Sequence, residues 1–83
     1  MNLETQVAAE VALFIASSPS PEQVIAFRPS QETVDRAYAL IDAERERSLT
    51  EDEQKELDTY LAIEHLMIMA KAEAHRKLQQ QAS

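Results

Sequence analysis

The sequence predicts an all-α protein. None of its 83 residues is glycine, and its three prolines, Pro19, Pro21 and Pro29, lie close together in the N-terminal half. Because glycine and proline disfavour helix interiors most strongly, the segments on either side of this proline window are free to form helices. The missing glycines also exclude glycine-dependent phosphate loops and dinucleotide turns. We therefore expect a non-enzymatic protein without a cofactor.

The first predicted helix covers residues 3–17. Apolar side chains recur there at helical spacing and predict one buried stripe, made of Leu3, Val7, Val11, Phe14 and Ile15. The prolines that follow disfavour helix in the residues before them and end this helix.

A connector over residues 18–30 follows and contains a short helix. Ser20 is a predicted N-cap, Pro21 suits the first helical position and Gln23 completes a capping box, so a helix should run from Pro21 to about Phe27. Ser30 is expected to cap the third helix, which continues to about Arg47. Its predicted buried face consists of Val34, Ala37, Tyr38 and Ile41.

The fourth helix has the clearest start, because Thr50 and Glu53 form a second capping box. No proline interrupts the helix before about Leu78, which gives it a length of about 42 Å against about 26 Å for the third helix. A short connection should fold residues 31–79 into an antiparallel helical hairpin. We therefore expect the long helix to extend beyond its partner, all within a single small domain.

An apolar belt lies on this long helix and consists of Ile63, Leu66, Met67, Ile68, Met69 and Ala70. A helix that is apolar around most of its circumference is normally surrounded by protein. Either the N-terminal helices of the same chain cover the belt, or a second protein does. We predict that the belt, together with Val24 and Phe27, forms a partner or oligomer interface.

Charge narrows the class of partner. The net charge is −7, which disfavours a nucleic-acid surface and suits a basic protein. The chain has no cysteine and no apolar run long enough to span a membrane. Without a recognisable targeting signal, we expect a cytoplasmic location.

Three further residues have structural interpretations. His65 follows Glu64, but adjacent helical residues point about 100° apart, so we expect no metal site and place His65 on the packing stripe of the long helix. Tyr38 is predicted to lie in the core. Arg28 is predicted to pair with a carboxylate of the long helix.

The chain resembles a family of small, uncharacterised, helical bacterial proteins of the cyanobacterial type. The resemblance rests on Ser18–Ser30, on Leu49–Tyr60, and on Glu64–Met67 with Lys71–Ala74. Genes of this family often lie beside nuclease or toxin-like genes, so the resemblance implies an antitoxin-like partner. It implies no catalytic residue.

Two functional hypotheses follow. In the first, the protein is an acidic, antitoxin-like inhibitory or accessory partner that docks a helix face onto a basic nuclease or toxin. In the second, it is a self-associating helical bundle, a homodimer without an inhibitory role. The sequence leaves open the identity of the partner and whether the first helix packs in its own chain.

Overall fold

The computed structural model describes residues 3–82 and confirms the all-α prediction. Four helices and no strand are present in this part of the chain. The fourth helix continues past its predicted end at Leu78, because the glutamines that follow are good helix formers. The helices are α1 (Leu3–Ala16), α2 (Pro21–Ala26), α3 (Gln31–Glu46) and α4 (Glu51–Ala82).

Helix α4 contacts each of the other three helices. The start of α1 lies beside the start of α4, where Glu4 bonds Thr59, and the two helices run parallel. Helix α3 runs antiparallel to both, since the connection to α4 consists of four residues, 47–50. The predicted hairpin is therefore present, with α1 packed along it.

Helix α2 covers one side of the part of α4 that extends beyond α3. Val24 lines the same cleft as Ala70 and Ala74 of α4. The rings of Phe14 and Phe27 lie 4.5 Å apart between centroids, which joins the end of α1 to the end of α2. The chain thus supplies part of the cover that the apolar belt needs.

The core lies where α1 meets the hairpin. Leu3, Ala37, Leu40 and Leu57 form one buried cluster, and Thr33 is also fully buried. Burial of apolar surface here contributes about 25 cal/mol per Å² of area removed from water. A single central cluster thus joins three helices.

Two predicted packing faces were partly wrong. On α3, Tyr38 is 62% exposed, because the buried face of this helix runs through Thr33, Ala37 and Leu40 and does not include Tyr38. On α1, Val7 and Val11 are buried as predicted, but Ile15 is 60% exposed. Ile15 therefore lies outside the buried stripe of α1.

The chain reverses direction between α1 and α2 at a residue of left-handed conformation. Ser18 has φ 53°, the one positive φ among the described residues. Its amide donates to the carbonyl of Ile15, which satisfies an acceptor at the end of α1. Glycine is the residue that adopts this conformation without a steric penalty from a Cβ atom.

Replacing Ser18 by glycine should therefore stabilise the protein. We expect Ser18→Gly to raise the free energy of unfolding by about 0.5–1 kcal/mol, because the left-handed conformation is costly for residues with a Cβ atom. Urea unfolding followed by circular dichroism measures this change. The control is Ser48→Gly, at a loop residue without positive φ, which should destabilise the protein slightly; equal effects of the two variants would contradict the account.

Candidate functional site

Two carboxylates, the buried Glu56 and the partly buried Glu10, hold α1 in place, and α1 in turn shapes the surface of the molecule. The carboxylate of Glu56 on α4 accepts the backbone N–H of Leu3 at 2.7 Å and the Nη2 of Arg36 at 2.9 Å. Its side chain is 7% exposed, whereas that of Arg36 is 44% exposed. One acidic group thus joins α1, α3 and α4.

Hydrogen bonding from Arg36 lowers the pKa of Glu56 below its ordinary value of 4.5, and the N–H of Leu3 lowers it further, against the opposing effect of burial. The same contact raises the pKa of Arg36. The amide of Leu3 is one of the unpaired donors at the start of a helix, where a negative charge is favourable. Glu56 therefore remains ionised and satisfies the N-terminus of α1.

Glu10 makes the second link between α1 and α3. Its carboxylate accepts the backbone N–H of Ser30 at 2.6 Å and also a short hydrogen bond from the hydroxyl of Thr33. Burial raises the pKa of Glu10, but the hydrogen bonds from Thr33 and Ser30 outweigh it and leave the pKa below 4.5. Glu10 thus holds the middle of α1 against the start of α3.

The connection between α3 and α4 carries a third acidic group. Glu53 accepts two hydrogen bonds from Arg47 and one from the backbone N–H of Thr50, which confirms the predicted capping box. Hydrogen bonding from Arg47 is the largest cause that lowers the pKa of Glu53, to about 2. The side chain of Arg47 is about half exposed, so the pair mainly orients the turn and adds little stability.

The apolar belt is covered on one side and exposed on the other. Met67 is 8% exposed and packs within its own chain, and Ile63 and Ala70 are half-buried. Leu66, Ile68 and Met69 are each about half exposed. Val24 and Phe27, the other predicted interface residues, are half-buried against the same chain. Leu66, Ile68 and Met69 are thus the predicted interface residues most open to a partner.

Exposed apolar residues lie on the adjoining flanks of α1 and α4, and we call this set of residues the α1/α4 face. The hydroxyl of Thr59 donates to Glu4 at 3.0 Å and fixes which flanks of the two helices adjoin. Residues at helical spacing from Glu4 and Thr59 continue these flanks side by side, since the helices are parallel. The α1/α4 face consists of six exposed residues: Ala8, Ala12, Ile15, Ala62, Leu66 and Met69.

A groove of about 380 Å³ opens on another side of the molecule. Its walls come from α1, α3, α4 and the segment after α2, and they are mostly apolar, including Val7, Val34, Ile63 and Met67. Volumes of this size lie at the lower end of those found for small-molecule sites. The polar groups that line it are few.

Two cations lie at one end of the groove. The Nζ of Lys71 and the Nη1 of Arg28 each donate to the same carbonyl oxygen, that of Phe27, at 3.0 Å. The prediction that Arg28 pairs with a carboxylate was wrong, because its side chain turns back to its own neighbour. Burial lowers the pKa of Lys71, and the charge of Arg28 lowers it further.

Tyr38, Tyr60 and Glu64 supply the remaining polar side chains of the groove. Burial raises the pKa of Tyr60, and the charge of Glu64 and a hydrogen bond to Glu64 raise this pKa further.

His65 is exposed, so the prediction that it lies on the packing stripe was wrong. The buried stripe instead passes through Glu56, Tyr60 and Met67, so His65 faces solvent.

Neither functional hypothesis requires a metal ion or a membrane. In the range 3–82, no three His, Asp or Glu side chains converge so as to hold a metal ion. No helix in that range is both long and apolar enough to cross a bilayer.

Comparison of the chain with protein-family models, with curated proteins and with solved structures finds no match.

Sequence reasoning missed the structural roles of Glu10 and Glu56, although a signal for them was present. Glu10 lies within the apolar stripe of α1, and Glu56 lies at helical spacing from Tyr60 and Met67. An acidic residue on a buried stripe requires a partner, since an unpaired buried charge is costly. The partners Arg36 and Ser30 are distant in sequence, so they could not be assigned.

The Glu56 contacts lead to a stability prediction. We expect Glu56→Gln to lower the free energy of unfolding by about 2 kcal/mol, because it removes the charge that Arg36 and the N–H of Leu3 share in a buried position. Urea unfolding at neutral pH measures the change.

Glu44→Gln is the matched control, since Glu44 is exposed on α3. It should change stability by less than about 0.5 kcal/mol. Equal losses in the two variants would show that Glu56 does not hold the helices together.

Proposed function

We propose that this protein is a non-catalytic interaction module that docks its α1/α4 face onto a basic protein. Its action would be antitoxin-like, in that the docked protein loses access to the surface it buries. The observation that carries the proposal is the α1/α4 face itself, which is exposed, apolar and uncharged. Exposed apolar patches of this kind mark interaction sites more often than chance.

The composition of the face is unusual for this chain. Charged residues make up 28% of the sequence, whereas the six residues that continue the flanks beyond Glu4 and Thr59 are uncharged. Leu66 and Met69, at 51% and 49% exposure, provide large side chains, and the neighbouring alanines allow another helix to approach closely. Methionine adapts its shape to different partners.

The charge of the molecule favours a basic partner. The chain has a net charge of −7, and complementary charge accelerates association and selects among partners. The acidic residues of α3 and of the first turn of α4, including Glu51 and Asp52, are exposed and available for this steering. High salt should therefore slow the association.

Self-association is the second candidate, and the geometry of the face favours it. Two parallel helices lie side by side there, so two copies related by a two-fold axis would form a four-helix arrangement. Each copy carries a charge of −7, so repulsion opposes this pairing at low salt. Salt should thus strengthen self-association and weaken docking to a basic protein.

One pair of variants tests the proposal. Leu66→Asp places a charge in the α1/α4 face, whereas Leu13→Asp makes the same change at an exposed leucine of α1 outside it. We expect a basic protein from the native lysate to bind immobilised wild type and Leu13→Asp, and to bind Leu66→Asp at least about tenfold more weakly. Binding to wild type should also fall with salt.

Equal capture by wild type and Leu66→Asp would contradict the proposal. Light scattering across a range of protein and salt concentrations completes the test. A monomer at all concentrations supports docking to another protein. A dimer that salt strengthens and Leu66→Asp abolishes would favour the second candidate and overturn the first.

A further inference from the structure

The groove between α1, α3 and α4 has features that the proposed docking function does not use. It lies apart from the α1/α4 face, and its lining residues on α4 run from Tyr60 to Lys71. At 1.5 Å per residue this span is about 16 Å long. The groove is therefore elongated, with Lys71 at the end nearer the C-terminus of α4.

The two cations at that end have no acidic partner among residues 3–82. Two hydrogen bonds of 3.0 Å to one oxygen keep Lys71 Nζ and Arg28 Nη1 within about 6 Å of each other. In the described part of the chain, no carboxylate oxygen lies within 4.0 Å of either group. The neutral carbonyl of Phe27 is the acceptor that they share.

Such a pair is unexpected in a chain with 15 acidic and 8 basic residues. Among the described residues, four of the eight basic side chains lie within 4.0 Å of a carboxylate, and these are Arg36, Arg45, Arg47 and Arg76. Two like charges held close together repel, and an anion between them would relieve this repulsion. A carboxylate could accept from both groups at once.

We propose that the groove binds a small amphiphilic carboxylate, with its apolar chain between Val7, Val34 and Met67 and its carboxylate between Lys71 and Arg28. An alkyl chain of about eight carbons suits the elongated apolar walls. Glu64, the acidic residue of the groove, lies about 10 Å along α4 from Lys71. That distance is about one Debye length, so Glu64 does not oppose the carboxylate strongly.

Octanoate, 1-octanol and octylamine have the same chain and differ in charge, so they test this proposal. Each is titrated into the full-length protein below its aggregation concentration and followed by two-dimensional NMR of backbone amides. We expect octanoate to bind saturably and to shift the amides of Val7, Val34 and Met67. Because the protein is acidic overall, non-specific attraction would favour octylamine, so a preference for octanoate must come from Lys71 and Arg28.

Variants assign the site to the two cations. Lys71→Met retains an apolar side chain and should weaken octanoate binding about tenfold, while leaving octanol binding nearly unchanged. Lys77→Met makes the same change of charge on α4 outside the groove and should have little effect. Arg28→Gln, at an exposed residue, repeats the test should Lys71→Met fail to fold.

The proposal is overturned by the absence of saturable shifts with octanoate, by shifts outside the groove, or by octylamine binding the groove as tightly as octanoate. Equal weakening by Lys71→Met and Lys77→Met would also overturn it, because the effect would then reflect net charge alone. None of these outcomes bears on the α1/α4 face, which the Leu66 and Leu13 variants test separately.

Discussion

The structure depends on one buried carboxylate. Glu56 lies where α1, α3 and α4 meet, and it accepts hydrogen bonds from the first residue of α1 and from Arg36 of α3. Apolar contacts around Leu3 and Leu40 supply most of the burial, but such contacts are non-directional. The carboxylate adds direction, because it satisfies the unpaired amide of Leu3 when α1 lies parallel to α4.

The position of α1 determines the two surfaces for which we propose functions. On one flank, the Thr59–Glu4 hydrogen bond sets the side of α1 that carries the exposed Ala8 and Ala12 next to the side of α4 that carries Leu66 and Met69. On its other side, Val7 supplies a wall of the groove. A chain this small cannot cover the whole circumference of a helix of 32 residues. The belt is therefore divided into a part that the chain buries and a part that it exposes.

The sequence predicted the helices well, because their boundaries are encoded locally. Capping boxes at Ser20 and Thr50 and the prolines depend on residues a few positions apart, and the structure has them as predicted. Which side of each helix is buried depends on distant partners. The predicted burial of Tyr38 and His65 was therefore wrong, because the spacing of apolar residues alone is compatible with more than one buried face. The shared carbonyl that joins Arg28 to Lys71 could not be predicted, because no pattern links residues so far apart.

The pKa of the Glu56 carboxyl tests the central claim most directly. Carbon-13 NMR of the side-chain carboxyl, followed with pH in the folded and the urea-unfolded chain, gives both values. The account predicts a lower pKa in the folded chain, with the amide of Leu3 shifting at the same midpoint. The free energy of unfolding must then decrease as the pH falls through the folded pKa, because the unfolded chain binds more protons there. A folded pKa equal to or above the unfolded one, or a Leu3 amide that does not respond, would contradict the account.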